Sequence, residues 1–150
     1  MDLQQMTEVG CTDARSLVTF GGRCIFANTE SVYITSGIDA VSLMEDRIES
    51  YWQSLFTSYT PAADAWTISA GIHRGRFLFV TVLNGTTQVA TLMCDLPRRA
   101  WTRLSNMPHK QYASAYGVSP ELYAASADEA RVYALSGIFN PSSSVKNDAD

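Results

Sequence analysis

The chain has 150 residues, 46% of them hydrophobic and 11% aromatic, which suits one packed domain or one piece of a larger one. Its 17% charged residues leave a formal net charge of −4, excluding the basic footprint of a nucleic-acid-binding surface. A mildly acidic wall made by several copies could still line a channel for DNA in transit, because it does not grip phosphates.

In chain order, residues 1–13 are polar with few periodic apolar positions and read as a leader or a short edge strand. Met1-Asp-Leu-Gln-Gln5 has no basic stretch ahead of an apolar one, so no secretory signal is expected. Strand candidates then follow closely: Ser16-Leu-Val-Thr-Phe20, Arg23-Cys-Ile-Phe-Ala-Asn28, Ser31-Val-Tyr-Ile-Thr35 and Ala40-Val-Ser-Leu43. Gly21-Gly22 and Thr29-Glu30 supply tight turns between them, so the pattern is an up-and-down meander.

The period changes next. Ile48, Tyr51, Trp52, Leu55, Phe56 and Tyr59 recur at intervals of three and four, which predicts an amphipathic helix over 43–57. Ser42 with Glu45 three residues on has the form of a capping box, and Pro61 would stop the helix. Its stripe would pack on a sheet edge or a neighbouring unit, or dock another subunit.

Strands resume at Trp66-Thr-Ile-Ser-Ala-Gly-Ile72, with a turn expected at His73-Arg-Gly75. Arg76-Phe-Leu-Phe-Val-Thr-Val-Leu83, Asn84-Gly85 and Gln88-Val-Ala-Thr-Leu-Met-Cys-Asp95 form a hairpin pattern, and Ala100-Trp-Thr-Arg-Leu104 adds a third arm. After Met107-Pro108 come Tyr112-Ala-Ser-Ala-Tyr116, Glu121-Leu-Tyr-Ala-Ala-Ser126 and Arg131-Val-Tyr-Ala-Leu-Ser-Gly137. Residues 139–150 are a polar tail with almost nothing to bury, expected to be flexible.

A repeat underlies this order. Val32-Tyr-Ile-Thr-Ser-Gly-Ile38 recurs as Val132-Tyr-Ala-Leu-Ser-Gly-Ile138, preceded in one case by Ile25-Phe-Ala27 and in the other by Leu122-Tyr-Ala124. In the unit between them, Phe77-Leu-Phe79 and Val89-Ala-Thr91 occupy the same two places. Four short strands repeating every 40–50 or so residues are the signature of β-propeller blades. The expected fold is mainly β: a propeller-like stack of about three four-stranded antiparallel meander blades over 14–138, a partial or open propeller, with one inserted helix. Trp66 and Trp101 would pack between blades, and the last unit has no obvious fourth strand. An open stack leaves bare sheet edges, so assembly with other subunits is expected.

Gly10-Cys-Thr-Asp-Ala-Arg-Ser-Leu-Val18, Gly22-Arg-Cys-Ile-Phe-Ala-Asn-Thr-Glu-Ser-Val-Tyr33 and Cys94-Asp-Leu-Pro-Arg-Arg-Ala-Trp-Thr-Arg-Leu104 carry a cadence spread over residues 10–138. It resembles that of bacteriophage virion proteins of the propeller type: tail-hub, nozzle or packaged-DNA-stabilising components. The resemblance implies a non-enzymatic structural subunit of the virion, made in the host cytoplasm, with other tail or head-to-tail subunits as partners. Members of that family are usually several times longer. The alternative is a propeller-type protein- or glycan-binding module.

No catalytic, cofactor-binding or metal residue is assigned. Cys11, Cys24 and Cys94 lack Cys-x-x-Cys spacing and read as free thiols behaving as small apolar residues. His73 and His109 fall in expected turns with no spaced partner, and Glu45, Asp46 and Glu49 suit a helix N-terminus. Ser119 and Ser126 lack a nucleophile elbow, and no glycine-rich phosphate loop follows any strand. Ser126-Ala-Asp-Glu-Ala-Arg-Val-Tyr133 half resembles the Asp-box of sialidase-like propellers, with Ala130 and Tyr133 in place of glycine and tryptophan. Even there the box stabilises a turn. Gly21-Gly22, the single glycine pair, argues against kelch repeats.

Overall fold

The computed structural model describes residues 9–57, 66–105, 107, 109–115, 121–127 and 129–135. Among these the chain is mainly β, folded as three antiparallel sheets and one α-helix with no closed barrel. A 3-10 turn at Ala14–Ser16 leads into the first sheet, β1 (Val18–Phe20), β2 (Arg23–Ala27), β3 (Val32–Thr35) and β4 (Ala40–Ser42), paired in sequence order. Helix α1 (Asp46–Thr57) follows. The middle sheet is β5 (Trp66–His73), β6 (Phe77–Asn84), β7 (Thr87–Asp95) and β8 (Ala100–Leu104). The last is β9 (His109–Ala115), β10 (Glu121–Ser126) and β11 (Val132–Ala134), with three strands among the described residues.

Local chemistry sets the turns. Gly21 and Gly22, at φ 55° and 75°, reverse the chain between β1 and β2 in a region that side chains disfavour. The Asn28 side-chain oxygen accepts from the Glu30 and Ser31 backbone N–H groups, closing the next hairpin. Between β6 and β7, Gly85 at φ 62° takes the first central place of the turn with Thr86 beside it, while Asn84 pairs with Thr87 inside the ladder. The turn thus sits one residue beyond the expected Asn84-Gly85.

The middle sheet is covered on both sides. Leu78, Val80, Val82, Ala90, Leu92 and Cys94 join Ile25, Ala27, Val32 and Ile34 of the first sheet in one buried cluster. The alternate residue Phe79 packs with Tyr112, Leu122, Ala124 and Leu135 of the last sheet in a second. A strand buried on both faces must be apolar at successive positions rather than at alternate ones, which is why β6 reads as a continuous run. The first strands of the three sheets adjoin: β1 contacts β5, and β5 contacts β9. Gly71 permits the second approach, because a Cβ there would lie 2.6 Å from Tyr112 Cβ and 2.9 Å from Leu122 Cδ1.

Helix α1 starts later than expected. Ser42 does not cap it: that residue ends β4, its hydroxyl lies 2.6 Å from Ser31 Oγ, and it accepts from the Met44 N–H. The first helical bond runs from Glu49 N–H to Glu45 C=O. The stripe packs onto the cluster shared by the first and middle sheets, with Trp52 fully buried and its Nε1 donating to Asn28 C=O at 2.9 Å. Trp66 joins the middle sheet to this helix through Phe56, 4.9 Å between ring centres, and Trp101 Nε1 donates to Leu43 C=O at 3.0 Å. Both tryptophans thus tie one unit to its neighbour. Pro61, Tyr59, the 139–150 tail and the Ser136-Gly-Ile138 end of the repeat lie outside the described residues, and 9–13 form no strand.

The repeat holds, with a slip of one residue in its second strand. Ile25 lies opposite Ile34, and it is Tyr123, not Leu122, that lies opposite the equivalent Ala134. The third strand of the middle unit begins at Thr87 rather than Val89, since a bulge follows Leu83–Gln88. The pair just inside each hairpin turn is therefore Ala27–Val32, Leu83–Gln88 and Ala125–Val132. Val32 faces the middle sheet, Gln88 reaches the Met107 carbonyl ahead of the last sheet, and Val132 is 69% exposed. In all three units this position points the same way along the stack.

Candidate functional site

Three features stand out as places where this fold could act. The first is an open cleft of about 740 Å³. Phe20 at the end of β1, Ile72 near the end of β5 and Ser114 near the end of β9 all line it. The three first strands therefore run toward one mouth. Its charged groups are Arg74 and Glu121, on an otherwise largely apolar and hydroxylated wall.

The second is a run of buried polar groups between the middle and last sheets. The Gln88 amide reaches Thr91 Oγ1 and the Met107 carbonyl. Thr91 Oγ1 lies 2.9 Å from Thr81 Oγ1, which lies 2.7 Å from the Tyr112 hydroxyl, itself 3.1 Å from His109 Nδ1. Donating in one direction along this line satisfies each member and ends at an unprotonated imidazole nitrogen. Burial lowers the His109 pKa to about 4 and raises that of Tyr112, the Thr81 and Thr91 hydrogen bonds acting in the opposite sense on the phenol. Thr81 and Thr91 are 0% and 1% exposed. The run is a buried polar pin joining two sheets.

The third feature is the pair of outward sheet faces. On the last sheet, Gln111, Ala113, Tyr123, Ala125, Val132 and Ala134 turn away from the middle sheet. This patch sets small apolar groups around Tyr123, with the Gln111 amide in the Ala125–Val132 row and Glu121 at the other end. On the first sheet, Thr19, Cys24, Phe26, Tyr33 and Thr35 lie on the side away from the middle sheet, with Phe26 buried and stacked on the half-buried Tyr33 at 5.6 Å. None of these five is charged, whereas a water-facing side of an antiparallel sheet is normally polar and charged.

The histidines differ from expectation: neither lies in a turn. His73 ends β5 and His109 opens β9, and they are 1% and 3% exposed. Burial, and then the charge of Arg74, lower the His73 pKa. Cys94 is the buried apolar thiol foreseen, its pKa pushed up to about 12 by burial, while Cys24 is half-buried and Cys11 exposed. Ser126 Oγ accepts from the Glu129 N–H, the turn-holding role read from its Asp-box likeness, and Ser119 and Asp128 lie outside the described residues. Glu45 and Asp46 are exposed and Glu49 half-buried at the start of α1. Missing from the sequence reading was the Thr81–Thr91–Tyr112 line. Its one signal was a threonine at matching places in two otherwise apolar paired strands. Among the described residues no group of three or more His, Cys, Asp or Glu side chains could hold a metal, and no helix is long and apolar enough to cross a membrane. No protein-family model matches the chain, and a search of curated proteins returns no match.

Proposed function

We propose that the protein is a non-enzymatic structural subunit of a bacteriophage virion, in the tail hub, nozzle or head-to-tail region, working as a rigid segment of a propeller-like wall. The observation that carries this reading is the mouth at which β1, β5 and β9 all end, each leading a meander laid on the next in the same orientation. Like-oriented meanders whose first strands adjoin are what blades around a common axis require. The cadence of residues 10–138 supplies the virion half of the proposal. The well-formed polar clusters add rigidity and no reacting group, which suits a wall.

The test is immunogold labelling of virus-like particles purified from the source of the sequence, with an antibody raised against the full chain. The expected result is label at the tail or the head-to-tail junction. Particles that carry none of the chain would overturn the virion reading. Binding of the purified chain to a glycan array would favour a carbohydrate-recognition module instead.

A further inference from the structure

The two ends of the stack differ. The repeat face bearing Val32 covers the middle sheet in the first unit, and the corresponding face of the middle unit covers the last. In the last unit that same face, with Val132 and its alanine neighbours, meets no further sheet among the described residues. The opposite face, bearing Tyr133, is the one the last unit lays on the middle sheet, where the Tyr133 ring lies 6.2 Å from that of His109. In the first unit the equivalent face is turned away from the middle sheet, with the half-buried Tyr33 stacked over a buried Phe26.

We infer that the Val132 face of one chain receives the Tyr33 face of a second copy, and that two copies close into a six-sheet ring through two identical head-to-tail contacts. The occupant follows from the repeat itself, because each internal junction already joins a Val-type face to a Tyr-type face. On the Val132 side Ala113, Ala125 and Ala134 surround Tyr123, with Gln111 at the edge, and the Tyr33 side offers the Tyr33 ring stacked over the buried Phe26. No residue of the paired strands puts a charge at the centre of either face, where a desolvated unpaired charge would be costly; Glu30 and Glu49 act on Tyr33 from the hairpin turn and α1, and Glu121 sits at the end of the Val132 side. Closed propellers have about four to eight blades, and with the three sheets of the described residues two copies give six, the one multiple of three in that range. A heterologous contact repeated by a rotation that closes yields a finite ring rather than a filament. The inference rests on the stacking half of the function proposed above and not on its virion half.

The experiment is light scattering on the full chain after size exclusion, with far-UV circular dichroism to confirm folding. The wild type is expected at twice the 16.5 kDa of the chain. Val132→Asp on one face, and Thr35→Asp on the other, should each halve the mass with an unchanged spectrum. The Thr35 replacement can still accept from the Gly37 N–H that the threonine hydroxyl now holds. Mixing the two variants should restore the doubled mass, because one intact Val-type face then meets one intact Tyr-type face. A monomeric wild type, a dimer indifferent to Val132→Asp, or a mixture that stays monomeric would each overturn the inference. Gold label on particles from a monomeric chain would leave the virion reading standing, and a dimer absent from particles would leave the ring standing.

Discussion

Gly71 shows how one missing methyl group sets the distance between sheets. A Cβ there would lie 2.6 Å from Tyr112 Cβ, which is fixed to the backbone of β9 and cannot swing aside. Gly71→Ala must therefore push the middle and last sheets apart, and by the usual cost of overpacking it should lose about 1–3 kcal/mol in urea unfolding. Tyr112→Phe acts at the same junction by removing the hydroxyl between Thr81 and His109. Stranding those buried partners should cost about 1–3 kcal/mol, read in the same assay. His109 makes the junction sensitive to acid. Its folded pKa of about 4 lies below the ordinary 6.5, so the unfolded chain binds more protons between those values. Stability is then full above the unfolded value and falls as pH drops toward 4, by up to about 3 kcal/mol at 1.36 kcal/mol per unit. Urea midpoints at neutral pH and near pH 4 should converge in His109→Asn relative to wild type, leaving the smaller acid sensitivity of His73 and the paired carboxylates.

At the scale of elements, α1 holds the first two sheets together from outside both. Trp52 is fully buried and bonded to the Asn28 carbonyl. Trp52→Ala leaves a cavity and an unpaired carbonyl, and should cost about 3–5 kcal/mol in thermal unfolding while leaving strand content unchanged in the surviving folded state. The helix was legible in the sequence because its stripe of apolar residues keeps a period near 3.6 through Phe56. Its start was not, because Ser42 looks like a cap in isolation and only the fold reveals Ser31 as the competing partner of its hydroxyl. The strands were legible to within a residue or so wherever a turn was marked by glycine or asparagine. His109 was misplaced because Met107-Pro108 suggests a break in the chain, and β9 begins immediately after it. The bulge at Leu83–Gln88 left no mark in the composition, so the repeat aligned on Val89 instead of Thr87. Local pattern fixes which residues alternate. It does not say which neighbour each face will meet.

For the whole molecule, that choice of neighbour is what matters. A lone hairpin sheet with one wet face is an ordinary object; a sheet clasped by two others can exist only if its strands are apolar on both sides, and β6 is. The polarity of the stack, with Val32 directed inward and Val132 outward, leaves it with unlike ends. A lysine scan through β6 probes the clasp most directly, placing a charge in turn at Leu78, Phe79, Val80, Thr81 and Val82 and reading unfolding by denaturant. Consecutive positions aim at opposite neighbours, so all five replacements should cost about 3 kcal/mol or more through burial of an unpaired charge. Tolerance at alternate positions, with Phe79 and Thr81 accepting lysine freely while their neighbours do not, would contradict the clasped sheet and the stacking built on it.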